Sequence, residues 1–535
     1  MTSQTQRQTS APHPTPEQTP DSEALSLAYD ELGYDSGLVL RTHPCELGGV
    51  AALFGVSAPP VHGAKILEVG SALGQNLSAI ASSLPSAVCV GVDLSVGQVE
   101  QAQREAEALG LSNVVYLAAN ILELRGELRG FDYIICHGVY SWIPSDVREA
   151  LLPTLSEMLA PTGLLYLSYN TLPGWADCGL IRGLAQSLAP GRAWSADQVS
   201  GVDQWIRSLP RGGLRRRYEQ LWFESFRDQP TFYQRHGVFA EFNEPRLFRE
   251  VTRDAERCGL TYVTDVSLAR DLPSEEERAS FDLIPKLSRV DRIQLLDFAR
   301  HTTFRASIFT QSATVATPLT LQLSSLSRLS VCAHLVPLER DRASQDQPSE
   351  DNPDGGVWYQ GRANALSEPT LISSPLLIDL ISAANQSWPA PLPLKPYLDA
   401  LDPAHVTSLV GLIVVALTHE HLSVYLDSPE LTPYVAPSHY DPDYPQLSPY
   451  NLRYVKHGRD HLVQCGLHRA TSEARAHPWF LFSDLFNGAR NRASLIMTVS
   501  HDPRYQGSAL SKMSEAELRS SLDEAISLFR RCGLI

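Results

Sequence analysis

The sequence predicts an α/β fold with a doubly wound parallel sheet in the N-terminal half of the chain, and two observations predict it. From Lys65 onward, short apolar runs alternate with stretches of helical period, as they do where a parallel sheet is covered on both faces. The first run ends in the small-residue loop Glu68-Val69-Gly70-Ser71-Ala72-Leu73-Gly74, which leads straight into a helix, and the second run ends on an acid, Asp93.

The elements follow in order. KILEVG (65–70) reads as a strand, ALGQNLSAIASSL (72–84) as a helix and AVCVGVD (87–93) as the next strand. VGQVEQAQREAEALG (96–110) carries Val96, Val99, Ala102, Ala106 and Leu109 at helical spacing. Strands VVYLAAN (114–120) and FDYIICHG (131–138), helix SDVREALLPTLSEML (145–159) and strand GLLYLSYN (163–170) continue the alternation. Residues 177–234 are helical in pattern and rich in Arg and Trp, as an insertion would be. Beyond them come helix EPRLFREVTRDAERCGL (244–260), strand TYVTDVSL (261–268), a helical stretch at about 274–300 and strand TFRASIFTQ (303–311), enough for sixth and seventh strands.

Outside this region the signals weaken. Residues 1–27 have few large apolar side chains and read as a disordered tail. Residues 28–312 form the α/β domain, and 313–364 form a linker and strands with a polar, flexible insert at 340–356. SWPAPLPLKP (387–396) reads as a second linker. Residues 365–535 hold helical patterns, a short strand LSVYL (422–426) and a last helix, and are expected to be winged-helix-like modules for regulation or substrate recognition.

A formal net charge of −16 argues against a sequence-independent nucleic-acid binder, which needs a basic field. The 8 cysteines form no CxxC pair, which disfavours a zinc ribbon or a redox motif. No metal site is expected. No apolar leader and no run of about 18 apolar residues is present, so a cytoplasmic, reduced protein without a membrane span is expected.

The loop carries the chemistry. Small residues at 70, 72 and 74 let a ligand approach the backbone, and the following helix aims its N–H groups at it. Asp93 can accept hydrogen bonds from two ribose hydroxyls, or it can cap the helix that starts near Ser95. A nicotinamide fingerprint would read G-x-G-x-x-G. Gly70-x-Ala72-x-Gly74 led by Glu68 instead has the form of the first motif of class I methyltransferases, and a carboxylate at 68 suits the methionyl ammonium of S-adenosylmethionine better than a pyrophosphate. The candidate cofactor residues are Glu68, Gly70, Ser71, Ala72, Gly74, Asn76, Asp93, Leu94, Asn120, Ile121 and His137.

FDYIICHGVYSWIP (131–144), LSYNTLPGW (167–175), YDELGYDS (29–36), THP (42–44) and DFARHTTFRASIF (297–309) resemble bacterial protein-lysine methyltransferases of the rickettsial type, which carry a methyltransferase regulatory domain. The resemblance covers roughly residues 28–312. It implies a Rossmann-like, seven-stranded methyltransferase sheet, S-adenosylmethionine as cofactor and a protein lysine as acceptor. Ala72 stands where the family's loop has a middle glycine, and Asn120 where related enzymes often have Asp. Asn120 can still accept a bond from the adenine amino group, without charge assistance.

Tyr140, Trp142, Tyr169 and Trp175 follow the fourth and fifth strands, at the carboxyl edge where open α/β sheets bind ligands. Aromatic faces would desolvate a lysine amine and hold its methylated cation. Tyr29 and Tyr34 could close the site, Asn170 is a further candidate, and His137 is either a proton acceptor or a wall residue. Two other readings remain: a methyltransferase of small molecules, and a non-catalytic regulatory protein that keeps the cofactor fold. A homodimer is compatible with the sequence. Every nucleotide-site signal lies before residue 176, so residues 365–535 are expected to be dispensable for cofactor binding while contributing to substrate choice.

Overall fold

A computed structural model describes residues 39, 41–188, 196–222, 240, 242–284, 286–311, 320–338, 356–361, 369–387, 391–426, 495–496, 498–499 and 510–531. A short helix, α1 (Pro44–Ala52), precedes the sheet. Strand β1 (Lys65–Val69), helix α2 (Gln75–Ser83), strand β2 (Val88–Asp93), helix α3 (Val96–Ala108), strand β3 (Val114–Ala118), strand β4 (Phe131–Cys136), helix α4 (Ser145–Met158) and strand β5 (Leu159–Asn170) then alternate as the hydrophobic pattern requires. Helices α5 (Leu172–Leu188), α6 (Ala196–Ser208) and α7 (Gly213–Glu219) lie in the insertion and share a small core of Ile181, Ala185, Val202, Ile206 and Trp222.

Helix α8 (Phe248–Arg257) leads to β6 (Leu260–Asp265), and helices α9 (Leu268–Asp271), α10 (Glu275–Asp282) and α11 (Arg289–Ala299) lead to β7 (Phe304–Gln311). The single helical stretch expected at 274–300 is two helices. Ser274 and Ser288 each form a capping box, with Glu277 and Asp291, and so begin a new helix twice.

The strands order as β3-β2-β1-β4-β5-β7-β6. The first five are parallel neighbours, and β7 inserts antiparallel between β5 and β6. Strand order reverses between β1 and β4, and a ligand crevice opens outside the carboxyl ends at such a switch point. Alternation along β5 divides its side chains. Leu165, Leu167 and Tyr169 enter the core beside α4 and α8, and Leu164 and Tyr166 enter the core on the opposite face.

That second core does not stop at the α/β domain. It runs from Cys45, Leu47 and Ile66 into Leu326, Val331, Leu394, Ile413 and Val424. Strand β8 (Leu329–Ala333) pairs antiparallel with β12 (Leu392–Pro393) and β13 (Leu422–Leu426), and β9 (Leu335–Pro337), β10 (Val357–Gly361) and β11 (Thr370–Ile372) form another antiparallel sheet. Helices α12 (Pro375–Ser387), α13 (Leu394–Asp399) and α14 (Pro403–Thr418) pack with β12-β8-β13. A last helix, α15 (Glu515–Arg531), matches the pattern at the C-terminus.

One expectation changes here. The segment 387–396 is not all linker, because Leu392 enters the β-sheet and Leu394 is fully buried in the first turn of α13. The C-terminal region is also packed directly on α1. A Cβ at Gly49 would meet the Val424 carbonyl at 2.7 Å, and one at Gly48 the Leu426 side chain at 2.3 Å. Removing residues 313–535 would therefore strip the apolar cover from α1. The tail 1–27, most of 340–356 and residues 427–494 lie outside the described residues.

One polar cluster interrupts the core where β6, β7, α9 and α11 meet. Arg305 is fully buried and donates to Asp297 at 2.9 Å, to Asp271 at 3.2 Å and to Asp265 at 3.5 Å. Asp271 also accepts from Tyr262, Thr264 and Arg289. The Arg305 guanidinium lies over the Phe248 ring, 4.5 Å from its centre.

Candidate cofactor and acceptor site

The loop after β1 turns sharply because Gly70 and Gly74 have φ of 73° and 71°. At Gly70 a Cβ would meet Val139, which follows β4, at 2.5 Å. At Gly74 it would strike the ring of Tyr116, whose hydroxyl donates to the Gly74 carbonyl at 2.8 Å and lies 2.7 Å from Ser78 Oγ. Ala72 takes φ 45°, a left-handed conformation that costs an L-residue about 1–2 kcal/mol. Its N–H donates to Asp93 Oδ2 at 2.8 Å, so the strained turn is held by the acid at the end of β2.

Asp93 Oδ1 accepts from the Ser95 N–H at 3.0 Å. Ser95, not Asp93, caps α3: its Oγ accepts from Gln98 N. The Asp93 carboxylate is half-buried between loop and helix. Leu94 is half-buried beside it. Asn120 Oδ1 accepts from the Leu122 N–H at 3.0 Å in a tight turn, and Ile121 is buried. One lone pair of Asn120 is thus committed to its own turn.

Glu68 is buried at the end of β1. Asn76 Nδ2 donates to its Oε1 at 2.7 Å, while Oε2 is buried and makes no hydrogen bond among the described residues. Ser71 Oγ is buried and unpartnered in the same way. Burial pushes the Glu68 carboxyl up to about 7, against the opposing bonds from Asn76 and the Leu77 backbone. An unpaired carboxylate oxygen, a buried hydroxyl, a glycine turn, a helix N-terminus and a second acid fit an aminoacyl nucleoside, with its ammonium at Glu68 and its ribose at Asp93.

On the far side of the switch point, His137 Nδ1 lies 2.9 Å from Tyr166 Oη, with Phe304 edge-on to the imidazole. Burial lowers its pKa to about 4, so the ring is neutral at physiological pH. Trp142 and Trp175 meet edge to face, with ring centres 5.8 Å apart. Tyr140 and Tyr169 also meet edge to face, at 6.3 Å, but they are enclosed at 2% and 1% exposure. The Tyr169 hydroxyl pairs with Ser307. The two tyrosines therefore sit in the core beneath the site, and Trp142, only half-buried, is the more accessible of the four aromatic side chains. Tyr29 and Tyr34 lie outside the described residues.

Sequence reasoning missed the segment 243–246. Asn170 Nδ2 donates to Asn243 Oδ1 at 3.2 Å, Glu244 N donates to the Ser141 carbonyl at 2.8 Å, and Arg246 N donates to the Asn170 carbonyl at 3.0 Å. Glu244 also pairs with the buried Arg148. These bonds fasten the loops after β4 and β5 together. The sequence reads 244–260 as one helix, whereas the helix begins at Phe248 and 243–246 is the connecting segment. Tyr116 was missed as well, since a tyrosine inside a strand gives no sign that it supports a glycine turn in another loop.

The methyltransferase domain family matches residues 66–163, and the predicted methyltransferase regulatory domain family matches residues 231–311. An uncharacterized protein of Rickettsia prowazekii is 32% identical over 286 residues, 52% of this chain and 52% of that one. A second from the same organism is 40% identical over 156 residues, 29% of this chain and 62% of its own. These matches thus span about half to two thirds of the relatives' length. PKMT2 from Rickettsia typhi, solved in complex with AdoHcy, superposes with a TM-score of 0.73 at 20% identity, over 94% of this chain and 99% of that one.

Strand order and loop have the form of a class I methyltransferase fold, residues 66–163 match a methyltransferase domain, and the cofactor that such a domain implies is S-adenosylmethionine. More particularly, the chain also matches a predicted methyltransferase regulatory domain over residues 231–311 and resembles rickettsial PKMT2 in fold. Among the described residues no group of His, Cys, Asp and Glu is arranged to hold a metal, and no helix is long and apolar enough to cross a membrane.

The raised carboxyl has a measurable consequence. Below pH 7 Glu68 is largely protonated, while an α-ammonium with a pKa of about 8 stays charged. Pairing with the ammonium requires ionised Glu68, so cofactor binding should release close to one proton at pH 6. Affinity should rise up to about tenfold per pH unit between about 5 and 7, then flatten. Calorimetry at pH 6 in buffers of different ionisation enthalpy measures the release. Glu68→Gln should abolish it, and the absence of release in the unmodified chain would remove Glu68 from the ammonium site.

Proposed function

We propose that the chain is an S-adenosylmethionine-dependent protein-lysine N-methyltransferase. The observation that carries the reading is the Trp142–Trp175 pair, which follows β4 and β5 at the same sheet edge where Glu68 and Asp93 end β1 and β2. When bound, S-adenosylmethionine supplies a methyl group on a positively charged sulfur, which an uncharged amine displaces in line.

The chain's own residues do the rest. Asp93 accepts from the ribose, Glu68 from the ammonium, and the Gly70–Gly74 turn lets the ligand lie against backbone. This orientation supplies much of the rate gain expected of a displacement. The two tryptophans exclude water and favour the neutral amine, and their faces attract the methylated cation. A neutral His137 adds no positive charge to repel an arriving ammonium. The resemblance to rickettsial-type enzymes and the regulatory domain support a protein as acceptor.

Two experiments test this. Asp93→Ala should weaken S-adenosylmethionine binding by about 1–2 kcal/mol, because charge-assisted bonds are lost. Unchanged affinity by calorimetry would sink the cofactor assignment. Incubating a cell lysate with the enzyme and an isotopically labelled methyl donor should yield labelled lysine in proteins by mass spectrometry. Label found only in metabolites would support the small-molecule reading, and binding without any label the regulatory one.

A further inference from the structure

Val39 and residues 41–46 touch the cofactor loop at one end and the C-terminal sheet at the other. Asn76, which holds Glu68, is itself held by this segment. Thr42 Oγ1 lies 3.1 Å from Asn76 Nδ2 and accepts from it, and the Val39 N–H donates to Asn76 Oδ1 at 3.0 Å. Thr42 is fully buried. The amide thus has one N–H on Glu68, one on Thr42 and its oxygen on the backbone, which leaves it a single orientation.

The adjoining residues anchor the segment elsewhere. Arg41 takes φ 67°, a conformation that L-residues rarely adopt, and its guanidinium pairs with Glu420 at 2.8 Å. Glu420 lies just before β13 and also accepts from Ser267 Oγ at 3.0 Å. His43 caps α1 and reaches Ser83 at the end of α2. Glu46 accepts from Ser423 of β13. The Gly48–Gly49 face of α1 lies directly on that strand. A shift of β13 would therefore carry Arg41 and Thr42 with it, and Thr42 would carry the Asn76 amide.

We propose that Thr42 is a positioning residue for the cofactor-site carboxylate Glu68, and that the Arg41–Glu420 ion pair sets its register, so that the C-terminal region governs cofactor affinity. This rests on the reading of the Glu68–Gly74 loop as the cofactor site. It replaces the expectation that the C-terminal region is dispensable for binding.

The test is calorimetric titration of the full chain with S-adenosylhomocysteine, which binds without turnover. If the unmodified chain fails to bind, the cofactor reading and the proposal fall together. If it binds, Thr42→Val should bind about tenfold more weakly, while Thr42→Ser, which keeps the hydroxyl, should stay within about twofold. Glu420→Gln should weaken binding roughly fivefold, although Glu420 is half-exposed and belongs to the C-terminal region. Thr42→Val with Glu420→Gln should be no weaker than Thr42→Val alone, because both act through one segment.

Wild-type affinity in Glu420→Gln, or fully additive losses in the double variant, would overturn the proposal while leaving the cofactor site intact. Equal losses in Thr42→Ser and Thr42→Val would also overturn it. Should Thr42→Val fail to fold, judged by its thermal midpoint, Glu420→Gln at its exposed position decides the question.

Discussion

Replacing Arg305 with methionine is expected to destabilise the protein by about 3–5 kcal/mol, the cost of breaking a buried ion network from one side. A typical domain has a total stability of only about 5–15 kcal/mol. The guanidinium is fully buried and meets Asp297, Asp271 and Asp265, and among the described residues only Arg289 would remain to pair with them, through Asp271. Burial already raises the Asp265 carboxyl to about 7 even with Arg305 present.

The sign of the pH effect follows. A carboxyl raised in the folded state binds its proton more tightly there than in the unfolded chain, so it costs stability as pH rises from about 4 to about 7. With Arg305 gone that cost grows and its window extends upward. Arg305→Met should therefore recover stability as pH falls from 8 toward 5, and adding Asp297→Leu should restore part of the loss. Denaturant unfolding across that pH range measures both. A loss below about 1 kcal/mol would mean that water reaches the cluster and screens it.

Trp142→Ala is expected to lower turnover by at least about tenfold while changing cofactor affinity by less than about twofold, on the scale of about 1.4 kcal/mol per tenfold. Trp142 stands against Trp175 after β4, whereas Glu68, Gly70, Gly74 and Asp93 belong to the ends of β1 and β2. The removed indole is part of the surface expected to desolvate the amine, so the variant's rate should also depend more steeply on pH, approaching the ordinary lysine value of about 10.4. Turnover and affinity measured on one preparation, with circular dichroism to verify folding, decide this. Equal losses would assign Trp142 to the cofactor pocket or the core, and full activity would remove it from the site.

Much of the fold was legible because it is written locally. KILEV, VCVGVD and FDYIIC are apolar runs of strand length, and the helices between them repeat at helical spacing. The loop could be recognised because only small residues make its turn. The φ of 45° at Ala72 gives the physical reason a glycine is usual at that position. Trp142 and Trp175 could be placed at one sheet edge, since both follow strands that end there, but their edge-to-face contact could not be read in advance. The burial of Tyr140 and Tyr169 could not, because it depends on the helices packed over β5.

The motifs at 42–44 and 297–309 were recognisable as strings, and their roles were not. Thr42 orients Asn76, His43 caps α1 and Pro44 starts that helix. Asp297 and Arg305 close the buried ion network. By itself, the sequence determined the alternating α/β order and the tight small-residue turn from Glu68 to Gly74, with Asp93 at the end of the next strand. These rest on periodicity and on residue size within a few positions of one another. Only the tertiary structure decided that the C-terminal sheet seats on α1, that Glu420 reaches Arg41, and that three aspartates converge on one arginine. Those contacts join residues hundreds of positions apart, such as Glu46 and Ser423 at a separation of 377, and no local pattern encodes a contact whose geometry exists only once both cores have packed.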